Sequence, residues 1–505
     1  MTSNRSTLPQ CVFISADHGL AVFYFLQSDI IPTLMEAGVQ VVVLTEDNSK
    51  EQIAHQFGFP GMKRKIARRF TSGTSVMPLI VEGLRLEQVQ AYQREVSPTT
   101  QWWLDFLRRA GAAGNTNLAV VDSYIEQVRF EARGRRRQIF PVLVGIARAM
   151  RRIRPARQAL RSYQKRFTPT IYADLFEKYN PSLVIAGSPG FRQDRFLLRE
   201  AAARKISTAS AMISWDSSSS YGLPGAPVDW MTCWSDIQKR ELMGGADWPV
   251  ERVNVGGMPP YDNYLRHSWV MPRQEYFQLH GLDPSRKLLS YASSFVSWSP
   301  NIQNVEALVS LVASNQHGSE LPLNEPCQLL IRLHPIHMSG HYVTEADRIR
   351  QLARENAHIH VVEPTPMGSM GHYGEDVIER TSMMANSDIF LTVYSTMCVE
   401  ASFQEKPIIS VCIDAKEGYP GKFWVPMSAI GVWPTHSRFR TSGAGRIALN
   451  ASELREAINF YLHNPHADID AQRRFLAQEC TYVDGSAGRR TAQFFLSLLE
   501  DGHER

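Results

Sequence analysis

The sequence is poor in cysteine, with six in 505 residues. Cys11, Cys233, Cys327, Cys398, Cys412 and Cys480 are widely scattered, with no CxxC pair and no metal-ligand spacing. That excludes a disulfide-stapled scaffold and a cysteine-based zinc site. Most sit inside apolar runs, which predicts buried free thiols in a reducing cytosol. Long hydrophobic runs are missing too. No window holds about eighteen uninterrupted apolar residues, so no transmembrane helix is expected. The opening Met-Thr-Ser-Asn-Arg-Ser-Thr-Leu-Pro-Gln10 is polar, so no signal peptide is expected either. No internal repeat is visible.

What is present is an ordinary globular composition, 44% hydrophobic and 21% charged, which excludes wholesale disorder and fibrous classes. The length predicts two to four domains. Net charge is only +4, but it is unevenly placed. One basic cluster is Lys63-Arg64-Lys65 with Arg68-Arg69. A denser one runs from Arg133 to Arg166 and includes Arg135-Arg136-Arg137, Arg148, Arg151-Arg152, Arg154, Arg157 and Arg161. Ile139, Phe140, Val142, Leu143, Val144, Ile146 and Met150 interleave it. Such a basic amphipathic segment fits an anionic membrane face or a polyanionic acceptor. A solvated helical face paired to acids elsewhere fits it equally well. Nucleic acid is not expected as a partner. No recognised binding motif accompanies the charge, and the acidic remainder nearly cancels it.

Strands and helices alternate along the chain. Gln10–Ser15 reads as a strand, Asp17-His18-Gly19 as a turn, Ala21 to Ala37 as one apolar-periodic helix, and Val39–Leu44 as a second strand. This is a βαβ opening of Rossmann-like type. About 80–170 reads as mostly helical, an insertion on the first domain. Strands follow at Leu183–Ala186, Thr208–Ile213, Asp229–Trp234 and Arg252–Gly256. A second α/β set begins near Lys287, with strands Leu288–Ala292, Cys327–Arg332 and His358–Val362. The chain thus divides into a first domain (1–265), a second (266–480) and a C-terminal helix that packs back (481–505). Two doubly wound halves place a ligand crevice between them.

Ser387–Ile413 is the most informative stretch. Asp388–Val393 is an apolar strand, Tyr394-Ser395-Thr396 a hydroxyl-bearing turn, Met397–Phe403 a helix, and Ile408–Ile413 a second buried strand. In such a unit the helix start aims unsatisfied N–H groups at the crevice, usually at a phosphate. Ser395 or Thr396 caps the helix and can face a phosphate oxygen. Glu400, about one turn in, is placed to accept from a ribose diol. An ordinary strand–helix unit with a Ser/Thr cap is the plainer reading.

Four segments resemble the GT-B family of nucleotide-sugar glycosyltransferases. The nearest branch is that of bacterial surface-polysaccharide and CDP-glycerol glycerophosphotransferase-like enzymes. They are Ile213-Ser-Trp-Asp216 with Tyr221-Gly222, Cys233-Trp-Ser235 with Val255-Gly-Gly-Met-Pro-Pro-Tyr-Asp262, Arg332-Leu-His-Pro335, and Tyr394-Ser-Thr396 with Glu400-Ala401. Ser217 stands where Asn is usual in the family, and Tyr221 where Lys is common. The likeness covers about 180–415 well, the first 45 residues weakly, and 50–175 not at all.

The resemblance implies an α/β fold of two Rossmann-like domains and transfer of a sugar from a nucleotide-sugar donor to a surface-glycan or lipid-linked acceptor. It implies no cofactor and no metal, because helix amides and a cation can neutralise the leaving diphosphate. Ser395, Thr396, Arg332 and His334 are the first candidates for that role. Ser293 and Ser294, after the first strand of the second domain, are next. Glu400 is assigned to the ribose, and Glu363 to the loop near the base. For the acceptor's general base the candidates are His18, its neighbour Asp17, and Asp216. Helix or turn capping is the structural alternative for both carboxylates. Two other functions fit the same pattern: glycerophosphate transfer from CDP-glycerol, and a non-catalytic binding subunit. The expected location is the cytoplasm, peripheral on the inner face of a membrane.

Overall fold

The computed structural model describes residues 10–46, 84–89, 98–113, 118–168, 170–220, 222–294, 299–314, 323–338, 340–364 and 375–501. The Lys63–Arg69 basic cluster and Tyr221 lie outside these residues. Two parallel sheets organise the chain. The first contains β1 (Cys11–Ser15), β2 (Gln40–Glu46), β3 (Arg85–Val89), β4 (Leu183–Ala186), β5 (Ser207–Ala211), β6 (Trp230–Cys233) and β7 (Val253–Val255), in the order β3-β2-β1-β4-β5-β6-β7. The second contains β8 (Lys287–Ala292), β9 (Cys327–Arg332), β10 (Ile359–Val362), β11 (Ile389–Thr392), β12 (Ile408–Val411) and β13 (Arg446–Ala448), in the order β10-β9-β8-β11-β12-β13. The central strands β1, β4, β9, β11 and β12 are buried throughout, as expected of strands covered by helices on both faces. Strand order reverses between β1 and β4 and again between β8 and β11. Those two switch points open toward ligands at the carboxyl ends of the strands.

Two expectations are corrected. The helix expected over Ala21–Ala37 is two helices, α1 (Gly19–Leu26) and α2 (Ile30–Glu36). The Ser28 hydroxyl donates to the Tyr24 carbonyl at 2.7 Å and accepts from the Ile30 N–H at 3.4 Å, so it competes with the backbone ladder and ends α1. The region from 80 is not helical at its start. Arg85–Val89 pairs in parallel with β2 as an edge strand, Val42 opposite Arg85. The serine-rich segment after Asp216 is a helical turn, Ser217–Ser220.

The insertion itself is four helices: α3 (Pro98–Ala110), α4 (Leu118–Glu131), α5 (Arg135–Met150) and α6 (Arg154–Gln164). It has its own core, in which Phe106, Ile125, Phe140, Val144 and Met150 meet. The buried Arg157 ties it to the first domain through a two-point pair with Asp247, at 2.6 and 2.8 Å. All six cysteines are buried and unpaired.

The C-terminal helix, Ala487–Asp501, returns to the first domain. The Asp262 carboxylate accepts from the Ala487 and Gly488 N–H groups at 3.1 and 2.8 Å, capping that helix start. Gly256 and Gly257 let the helix approach: a Cβ on Gly256 would lie 2.4 Å from Thr491 Oγ1, and one on Gly257 2.8 Å from Ala487 Cβ. The glycine-proline-aspartate motif of the resemblance therefore serves here as the seat of the C-terminal helix. Among the described residues, no helix is long and apolar enough to cross a membrane.

Candidate functional site

A cavity of about 560 Å³ lies between the carboxyl edges of the two sheets. That is within the roughly 300–1,000 Å³ typical of small-molecule sites. The second-domain wall comes from the ends of β8, β9 and β11: Ser293, Ser294, Arg332, His334, Tyr394, Ser395, Thr396 and Glu400 all line it. The first-domain wall is built from α1 (Leu20, Phe23) and the segments after β5, β6 and β7 (Ile213–Asp216, Trp234, Met258, Tyr261). The insertion adds Arg109, Val120 and Tyr124.

The second-domain wall is cationic. Arg332, at the end of β9, is 3% exposed, and Arg380 is 5% exposed. Buried guanidinium groups persist only with partners, since dehydration of an unpaired charge is costly. Arg380 has one in Glu400, its Nε 3.1 Å from Oε2. The buried Tyr264 hydroxyl donates to the same oxygen at 2.6 Å. Burial and the neighbouring Glu400 both push the Tyr264 phenol up, so it stays a donor. The Arg380 guanidinium also sits 5.2 Å from the Phe23 ring centroid, a contact from the second domain to the first.

The hydroxyls divide into two uses. The Ser293 Oγ donates to the Arg332 carbonyl at 3.1 Å and accepts from the His334 N–H at 2.8 Å. It knits the ends of β8 and β9 together. Behind it, the buried His337 reaches Glu345 at 3.2 Å, and Tyr419 donates to Glu345 at 2.6 Å. His334 Nδ1 accepts from the Ile336 N–H at 3.1 Å, which places the proton of the neutral ring on Nε2. Of the two hydroxyls at the helix start, Ser395 accepts from the Met397 N–H at 3.3 Å. The Thr396 side chain makes no capping bond.

One end of the cavity is aromatic. His436 stacks on Tyr394 with ring centroids 4.8 Å apart, and Trp433 lies 6.0 Å from His436. Burial, aided by Arg438, pushes the His436 imidazole down to about 3, so it is neutral at working pH. Trp215 donates its indole N–H to Glu479 at 2.6 Å. Arg438 pairs with Glu479 and Glu241, joining the two domains behind that end.

Asp216 is exposed on the cavity rim, where Ser214 donates to it at 3.0 Å. Asp17 and His18 stand at the end of β1 but do not line the cavity. Their side chains meet at 2.5 Å, with His18 18% and Asp17 2% exposed. Burial raises the Asp17 carboxyl, but His18 and Arg192 beside it outweigh burial and hold it below the usual range. Behind it, Asp194 is fully buried and bonded to Ser188 at 2.7 Å. Burial and then the Asp17 charge push Asp194 well above the usual carboxylate range. Glu363 does not reach the cavity. It is held by a two-point pair with Arg350 at 2.7 and 2.8 Å.

Several cavity residues were not singled out from the sequence. Arg380 sits on Glu375–Asn386, a helix whose signal is Val377, Ile378, Thr381 and Met384 at helical spacing. Trp433 and His436 lie in short or irregular segments with no periodic pattern, as does Tyr264, the buried partner of Glu400.

No family model matches the chain, and no curated protein matches it. Solved structures do. A glycosyltransferase from Rickettsia africae is similar at a TM-score of 0.50 and 10% identity, over 99% of this chain and 100% of that one. A protein described as a UDP-N-acetylglucosamine 2-epimerase from Listeria monocytogenes is similar at 0.53 and 11%, over 98% of each chain. At such identities the likeness concerns fold. With two parallel Rossmann-like sheets facing one cleft, the chain has the GT-B fold.

Proposed function

We propose that this chain is a glycosyltransferase that moves a sugar from a nucleotide-sugar donor to a surface glycan or its lipid-linked precursor, at the inner face of a membrane. The observation that carries this reading is the pair of buried arginines, Arg332 and Arg380, beside Ser395 and Glu400 at the switch point of the second sheet. A diphosphate leaving group gains charge as its bond to the anomeric carbon breaks. Preformed cations and amides in a dry site stabilise that charge most. Arg332, Arg380 and the amides near Ser395 take that role, so the proposal needs no metal. Glu400, oriented by Tyr264, takes the ribose hydroxyls. The acceptor oxygen attacks the anomeric carbon, the diphosphate leaves, and the acceptor proton passes to a base. Asp216 on the rim and the Asp17–His18 pair beside the cavity compete for that last role.

Release of nucleoside diphosphate from UDP-, CDP-, GDP- and ADP-sugars, and of CMP from CDP-glycerol, tests the reading. Sugar transfer from one donor, abolished in Arg332→Ala, is the expected result. Glycerophosphate transfer from CDP-glycerol points to the phosphotransferase instead. Binding without turnover of any donor points to a non-catalytic subunit. His18→Ala and Asp216→Asn identify the base by which one lowers kcat without moving donor affinity.

A further inference from the structure

From Ala132 to Ala173 the chain has twelve Lys and Arg and no Asp or Glu. The fold sorts this segment into two faces. Helix α5 turns Phe140, Val144, Ala147 and Met150 into the insertion core. Its opposite side carries Ile139, Val142 and Ile146, which are 41%, 64% and 43% exposed. These three follow helical spacing, so they form one outward apolar stripe. Ile153, just beyond the helix, is 49% exposed and extends the apolar surface. Arg135 stands on the same side of α5, Arg137 and Arg148 on its other exposed flank, and Arg152 and Arg154 beyond its end, all of them exposed. Among the described residues none of these five has an acidic partner. Other basic residues of the segment are occupied: Arg157 by Asp247, Arg151 by the Ala110 carbonyl, and Arg136 against the Trp102 ring.

We propose that this face of α5 docks on an anionic phospholipid surface, with Ile139, Val142 and Ile146 entering the headgroup boundary and the five arginines contacting lipid phosphates. The inference rests on the membrane location given above and names the surface responsible. An aliphatic stripe on a helix whose other exposed flank is cationic suits lipid, because burial of the stripe and attraction to phosphate act together. A nucleic-acid backbone has no use for an exposed Ile-Val-Ile stripe. Other helices of the insertion supply Arg109, Val120 and Tyr124 to the cavity. One small helical unit therefore joins the lipid face to the acceptor side of the cleft.

Co-sedimentation of the full chain with vesicles tests this without donor or turnover. Vesicles containing phosphatidylglycerol should carry the protein down, while pure phosphatidylcholine vesicles should not. Raising salt to about 0.5 M should release it, because screening shortens the reach of the arginines. The triple variant Arg135→Glu, Arg137→Glu, Arg148→Glu should lower the partition coefficient at least tenfold. Val142→Asp with Ile146→Asp should lower it severalfold. Both variants change exposed residues, so an unchanged melting temperature and an unchanged nucleotide response confirm that the fold and cleft survive. Equal binding to neutral vesicles overturns the proposal, as does no binding to anionic ones. Tighter binding to duplex DNA than to anionic vesicles also overturns it. Vesicle binding by a protein that binds no nucleotide would leave this face standing and remove the donor reading.

Discussion

The two walls of the cleft are built from different materials. The second-domain wall holds Arg332, Arg380, Glu400, His334 and Ser395, with the arginines and the glutamate almost wholly buried. The first-domain wall is mainly Leu20, Phe23, Ile213, Trp215, Trp234, Met258 and Tyr261. Its charged groups, Arg109 and Asp216, come from the insertion and the rim. One wall is organised to hold fixed charge; the other excludes water and shapes the space. In the proposed reaction the first task belongs to the donor and the second to the acceptor and its approach. Charge is costly to bury, so its presence on one wall only marks where a charged ligand sits.

Breaking the charged wall should have the largest effect. Arg332→Ala and Arg380→Ala each remove a charged hydrogen-bond partner worth about 2 kcal/mol, or roughly 30-fold in affinity. Calorimetric titration with the cognate nucleoside diphosphate should show that loss in both. A change of less than threefold in both would remove the site from the second domain. On the other wall, Arg109→Ala should raise the KM for acceptor about tenfold and leave the Kd for nucleotide within twofold. Steady-state kinetics with donor and acceptor varied separately distinguishes the walls.

Smaller effects sharpen the comparison. Tyr264→Phe removes the phenol that orients Glu400 across the domain junction. Chemical denaturation should report a loss of about 1 kcal/mol, with nucleotide affinity falling less than in the arginine variants. Beside the cleft, Asp194 offers a test of sign. In the unfolded chain it ionises near pH 4, while burial and Asp17 keep the folded group protonated far higher. Its contribution to stability is full below about pH 4 and is lost as pH rises toward the folded value. Asp194→Asn has no proton to lose, so its melting temperature should exceed wild type at pH 7.5 and lose that advantage by about pH 4. A uniform decrease across that range would show that Asp194 is ionised in the fold.

Both sheets were largely legible in the sequence because their buried strands are short apolar runs bounded by turn residues, as in Asp388–Val393 and Leu183–Ala186. Strand ends at a sheet's carboxyl edge follow from that order, which is why Arg332, His334 and Ser395 share one cavity. Single residues were harder. Glu363 sits at a strand end like Arg332, yet Arg350 on the helix before its strand claims it. Asp17 and His18 are at the right edge but face each other and Arg192 rather than the cavity. Asp262 belongs to a motif with functional associations and caps a helix. What sequence order cannot carry is the partner from a distant element: Arg380 for Glu400, Asp262 for Gly488, Arg350 for Glu363. The basic insertion shows the same limit. Its composition announced an amphipathic helix, but only its packing separates the buried Phe140 stripe from the exposed Val142 stripe.

The most direct measurement is a thermal-shift series of the purified chain against UDP, CDP, CMP, GDP and ADP and their sugar or glycerol conjugates. A ligand that binds only the folded state must raise the melting temperature. The expected result is a clear rise with one nucleoside diphosphate and its sugar conjugate, lost in the Arg332→Ala, Arg380→Ala double variant. No rise with any of them, from well-folded wild-type protein, would contradict a donor site in this cleft.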